Sequence, residues 1–140
     1  MLAQVRSELY EPRLESVATL SELVTVAREL HDEEVGHGGL NVLTQLLAGA
    51  ASSAELRAGL VTSFQPWMQL VEDAVQRVLA PSPYAGIVPT DQLAFAIASL
   101  FLGIELMHTL EPEENRARAV FDTFGALATI VEALLMQSPT

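Results

Sequence analysis

Residues 90–109, Thr-Asp-Gln-Leu-Ala-Phe-Ala-Ile-Ala-Ser-Leu-Phe-Leu-Gly-Ile-Glu-Leu-Met-His-Thr, read as a helix with two apolar faces, and that constrains the fold more than any other stretch. On a wheel of about 100° per residue, Leu93, Ile97, Leu100, Ile104 and Met107 form one stripe, while Phe95, Ala98, Leu102 and Leu106 form another on the far side. A helix that is apolar nearly all round has to be covered on both sides. Its own domain supplies one cover, and a membrane or a partner chain supplies the other. The uncharged run from Gln92 to Ile104 is shorter than the roughly 18 apolar residues that a bilayer span needs, so the second cover is expected to be protein.

The rest of the composition agrees with a buried interface. Hydrophobic residues make up 50% of the 140, more than a single core requires. The chain has no cysteine, which removes disulfide and thiolate chemistry and is compatible with a reducing cytoplasm, the expected location. Eighteen acidic residues against seven basic ones leave a net charge of −11, and the basic residues are arginines scattered from Arg6 to Arg118. Phosphate neutralisation needs a basic patch, so this chain is not expected to bind nucleic acid by itself. The opening Met-Leu-Ala-Gln-Val-Arg-Ser-Glu has no basic segment followed by an apolar block, and no signal peptide is expected.

In chain order, Leu2, Val5 and Leu9 mark a short first helix that Glu11-Pro12 interrupts. Leu14, Val17, Leu20, Val24, Ala27 and Leu30 carry a second helix up to Asp32-Glu33-Glu34, before Gly36-His37-Gly38-Gly39 breaks the period. Leu40, Leu43, Leu47 and Ala51 line a third helix, with Asn41 and Gln45 as an i,i+4 polar pair. Ser52-Ser53-Ala54-Glu55 has the spacing of a capping box and opens a fourth. There Leu56, Leu60, Phe64, Trp67, Val71, Ala74 and Val78 run in one stripe to about Leu79, with Pro66 predicting a kink. Residues 81–89 form a loop, and Thr90 with Asp91 caps the two-faced helix. Glu111-Pro112 reads as the start of a last helix reaching about Met136. Its larger face, Val120, Phe121, Phe124, Ala128, Val131 and Leu135, is assigned to the core. The smaller face, Ala119, Thr123, Ala126, Ile130 and Ala133, is assigned to a partner, because small residues let backbones approach closely. No alternation of period two persists long enough for a strand.

Three stretches in this order resemble the C-terminal ligand-binding and dimerisation domain of the tetracycline-repressor (TetR) family of transcriptional regulators. They are Ala54-Glu55-Leu56-Arg57 leading to Gln65-Pro66-Trp67-Met68, then residues 90–97, then Leu100-Phe101-Leu102-Gly103-Ile104-Glu105-Leu106 before the last helix. The resemblance spans about residues 14 to 136, and Leu2-Ala3-Gln4-Val5 is similar to the opening of the helix that follows the family's DNA-binding head. It implies a single all-α domain, a bundle of about six helices in which the last two long ones of each protomer form an intermolecular four-helix bundle. It also implies a homodimer, an apolar cavity in each protomer, and a small-molecule effector that shifts helix-turn-helix domains not found in these 140 residues. The expected dimer contacts are Phe95, Leu102 and Leu106 with Ala119, Thr123, Ala126, Ile130 and Ala133.

Phe64, Trp67, Met68, Phe101 and Met107 are large, adaptable side chains of the kind that line apolar cavities, with Asn41, Gln45, Tyr84 and His108 as the available polar groups. Glu105-x-x-His108 and Glu34-x-x-His37 have the spacing of carboxylate-bridged metal bundles. Such a site needs two further inward glutamates, and Gly36 sits in the second copy, so no metal or cofactor is expected. His31, beside Asp32, Glu33 and Glu34, is expected on a solvated face. No Gly-x-Ser-x-Gly, reactive thiol or phosphate-cradling loop is present, so an enzyme is not expected. The competing reading is a ligand-free helical dimerisation module.

Overall fold

The computed structural model describes residues 11–137 apart from 38, 112 and 114, and for 34–37 and 39–44 the backbone alone. The first helix expected from Leu2, Val5 and Leu9 lies outside these residues. Residues 11–15 are helical, and five longer helices follow: α1 (Leu20–His37), α2 (Gly39–Ala50), α3 (Ala54–Leu79), α4 (Thr90–Leu110) and α5 (Arg116–Leu135). Among the described residues there is no strand.

Local signals set most helix ends, with shifts from the sequence reading that have identifiable causes. The helix expected to run on from Leu14 breaks at residues 16–19, because Thr19 starts a new one. Its Oγ1 accepts from the amide of Glu22 at 3.2 Å, and the Glu22 carboxylate reaches back to the amide of Ala18 at 3.2 Å, a reciprocal cap of the capping-box kind. At α3 the cap is Ser53 rather than Ser52: the Ser53 hydroxyl accepts from Leu56 N at 3.2 Å, leaving Glu55 in the first turn near the positive end of the dipole. Helix α4 has no side-chain cap, since Pro89 occupies that position and Thr90 is already helical. The last helix starts at Arg116 with Asn115 before it; Glu111 instead closes α4, its amide bonded to Met107 O. Helix α3 continues through Pro66. Proline removes one backbone bond, to Thr62, and both residues are exposed, so the freed carbonyl is open to water.

Helices α1 and α5 pack along each other, as do α3 and α4, while α2 touches α3, α4 and α1. Leu14, Val17, Leu23, Val26, Leu30, Val71, Ala74, Val75, Leu79 and Ala94 form the continuous core, with Trp67 and Phe101 packed against it. Polar clamps fasten the ends. Arg77 donates from Nε to Val17 O at 2.9 Å and from Nη2 to Leu14 O, holding the segment that precedes α1. The buried hydroxyl of Ser82 donates to Leu135 O at 2.7 Å, tying the loop of residues 81–89 to the end of α5. Arg28 pairs with Asp122 at 2.7 Å between α1 and α5.

Helix α5 presents most of the faces expected of it. Phe121 and Ala128 are buried and Ala119, Thr123, Ala126, Ile130 and Ala133 are exposed, but Val131, expected in the core, is exposed at the mouth of a groove between α1, α4 and α5. Helix α4 does not divide as its apolar wheel suggested. Its inward stripe is Ala94, Ala98, Phe101, Glu105 and His108, so Ala98 of the stripe expected to face a partner is buried and Leu100 and Met107 of the opposite stripe are exposed, while Phe95 is exposed as an outward residue should be. Leu102 and Leu106 are half-buried. The inward positions hold alanines, which allow close helix approach, and two polar residues, so counting apolar side chains pointed the wheel the wrong way. The helix is also longer than its uncharged run. At 21 residues, with mean hydropathy 1.8 over its most apolar window, α4 is long and apolar enough to cross a membrane, although it packs along α3 and carries Glu105 on its inward face.

Candidate functional site

Helix α1 extends the stripe Leu20, Val24, Ala27 by one more turn and so brings His31 inward. Helix α4 does the same from Ala98 and Phe101 to Glu105. The two side chains meet: His31 Nδ1 lies 2.6 Å from Glu105 Oε1, with only 4% of His31 and 1% of Glu105 exposed. His31 is therefore not on a solvated face. Of its acidic neighbours in sequence, Asp32 is exposed and Glu33 pairs with Arg13.

Rings surround the pair. His108 stands edge-on to His31 with centroids 5.0 Å apart, and Phe121 of α5 lies 5.3 Å from His31. From Phe121 the run of rings continues to Phe101 at 6.2 Å, to Trp67 at 6.1 Å and to Phe64 at 6.3 Å, so aromatic contact links α1, α3, α4 and α5. Two polar atoms in this cluster, Glu105 Oε2 and His108 Nδ1, are buried without a hydrogen-bond partner. Leaving such a group unmatched costs about 1–3 kcal/mol, and a charged oxygen costs more.

An apolar groove of about 240 Å³ opens between α1, α4 and α5. Leu23, Ala27, Ile97, Phe101, Ile104, Phe121 and Phe124 are among its walls, and every lining residue is apolar. A second hollow of about 430 Å³ lies between α4 and α5, lined by Leu100, Gly103, Ile104, Met107, His108, Arg116 and Val120.

The residues expected to bind a ligand fall in three places. Phe64, Trp67 and Phe101 are brought into one ring run, and of these Phe101 alone lines the apolar groove. His108 and Met107 line the second hollow, where Met107 is 61% exposed. Met68 is half-buried on α3, Gln45 is exposed, and the side chain of Asn41 lies outside the described residues. Tyr84 is half-buried in the loop. The sequence reading missed His31, Glu105 and Phe121 as parts of one cluster. A signal for two of them existed: His31 follows Ala27, and Glu105 follows Phe101, each at the i+4 position. Among the described residues no group of three or more acidic or histidine side chains is placed to hold a metal ion; the side chains of Glu34 and His37 lie outside them.

Comparison with protein-family models, with curated proteins and with solved structures gives no match.

Proposed function

We propose that this chain is the effector-binding and dimerisation domain of a TetR-like transcriptional regulator, working in the cytoplasm. It binds an apolar small molecule and thereby controls a helix-turn-helix domain that is not among these 140 residues. The observation that carries the reading is the groove between α1, α4 and α5, whose lining is entirely apolar and whose walls come from three helices. A ligand filling it replaces water on several helices at once, and a shift in their spacing is the kind of change that a sensor transmits. The homodimer is formed by the outward faces of α4 and α5, where Phe95, Ile130 and Leu134 are exposed. These are large side chains on one pair of helices, and covering them removes apolar surface from water. The resemblance of residues 54–68, 90–97 and 100–106 to the TetR ligand domain supports the same assignment.

A ligand-free dimerisation module is the second reading. It is favoured by the exposure of Leu100, Leu127 and Val131, which line the groove as well and could be covered by side chains of a second copy.

Thermal unfolding of the dimer with a panel of apolar compounds separates the two. A ligand at ten times its Kd should stabilise the fold by about 1.4 kcal/mol and raise the melting temperature. A dimer that no compound stabilises would leave the structural module, and a monomer by light scattering would sink both readings.

A further inference from the structure

We infer that Glu105 and His108 form the polar anchor of the ligand, and that the effector is an apolar molecule carrying a hydroxyl group, a phenol or alcohol rather than a hydrocarbon. The inference rests on the ligand-binding reading above and specifies the chemistry of that site. Ala27, Phe101 and Ile104 line the apolar groove, and each is followed four residues later by a member of the polar cluster: His31, Glu105 and His108. Four residues are one helical turn, so the cluster is the next turn of the same two helices beyond the groove wall. Phe121 joins the two, lining the groove and lying 5.3 Å from the His31 ring.

Glu105 is 99% buried, and only one of its oxygens is used, by His31. Its Oε2 and the Nδ1 of His108 are buried and unmatched. Their side chains lie on one face of α4 at i,i+3 spacing. A carboxylate oxygen accepts only, while Nδ1 donates in the tautomer that carries its proton. A hydroxyl does both, and so it matches Oε2 and Nδ1–H at once; Ile104 lines both the groove and the hollow that His108 borders, so the apolar body stays in the groove while the hydroxyl passes Ile104 into the cluster. A hydrocarbon leaves both atoms unmatched, and a site built for a polar group rejects the analogue lacking it.

The test is calorimetric titration of the 140-residue chain with 4-propylphenol and with propylbenzene, which share one body. Propylbenzene is the more apolar, so it binds tighter if apolar burial alone decides. The anchor predicts the reverse, with 4-propylphenol tighter by about tenfold or more, as expected of a hydrogen bond to a charged group. Glu105→Gln and His108→Phe should each reduce that preference severalfold while propylbenzene affinity changes little. The wild-type comparison stands even where a variant fails to fold. Equal or tighter binding of propylbenzene, or a preference unchanged in both variants, would overturn the anchor and leave the apolar-ligand reading intact. Binding of neither compound also overturns it. The wider reading falls too only if naphthalene and other fully apolar compounds leave the melting temperature unmoved.

Discussion

His31 Nδ1 meets Glu105 Oε1 at 2.6 Å across 74 residues of sequence, a buried side-chain hydrogen bond that joins the α1/α5 pair of helices to the α3/α4 pair. Other polar links run within a pair, as Arg28 to Asp122, or hold flanking segments, as Arg77 and Ser82 do, and the exposed Arg116–Glu111 pair joins the start of α5 to the end of α4. Removing one partner leaves the other buried and unmatched. His31→Leu should therefore cost about 3–5 kcal/mol, whereas His31→Leu with Glu105→Leu should cost much less than the two single changes added together. Urea unfolding of the three variants measures this, and additive losses would show that the pair is not coupled.

Ile130 is 59% exposed on α5, on the stripe of small residues assigned to the partner helix. Ile130→Glu should turn the proposed dimer into a monomer at micromolar concentration, because an interface core does not tolerate an unpaired carboxylate. Light scattering reads the mass. The fold should survive, since the side chain reaches solvent in the protomer, and circular dichroism checks that. A dimer that persists in Ile130→Glu would move the interface off this face.

Arg77 carries two carbonyls at the end of the segment before α1, those of Leu14 and Val17, whose own side chains are buried. Arg77→Met keeps most of the stem and loses the donors. We expect a loss of about 1–3 kcal/mol and faster proteolysis between residues 11 and 19, with the remaining helices still protected. Limited proteolysis followed by mass spectrometry locates the cut.

The cap of α3 gives a sharper contrast. Ser53→Ala should destabilise by about 1 kcal/mol, since its hydroxyl accepts the Leu56 amide. Ser52→Ala should change stability far less, because its hydroxyl makes only a local bond of 3.3 Å to Gly49 O. Melting temperatures of the two alanine variants decide which serine caps the helix; the reverse order would restore the Ser52 box.

Sequence alone determined the helical course of this chain and the direction in which α5 faces. Those properties are local. The glycine-rich stretch separates a helix ending at His37 from one opening at Gly39, residues 81–89 break the period, a serine followed by a glutamate near residue 53 starts a helix to within one position, and α5 has bulky residues on one side and small ones opposite. The register of a cap is the finest thing that such signals resolve, and Ser52 and Ser53 offer the same hydroxyl one residue apart. Only the tertiary structure decided which way α4 turns and that His31 is inside. Apolar periodicity tells a helix that it has an inner face by the weight of its hydrophobic residues, and in α4 nearly every direction carries that weight. What turned Ala94, Ala98 and Glu105 inward was the close approach of neighbouring helices and the presence of His31, which the fold brings within 2.6 Å from 74 residues away. A buried carboxylate is costly by itself and tolerable once matched, so its burial is decided by a contact that no stretch of sequence around Glu105 contains.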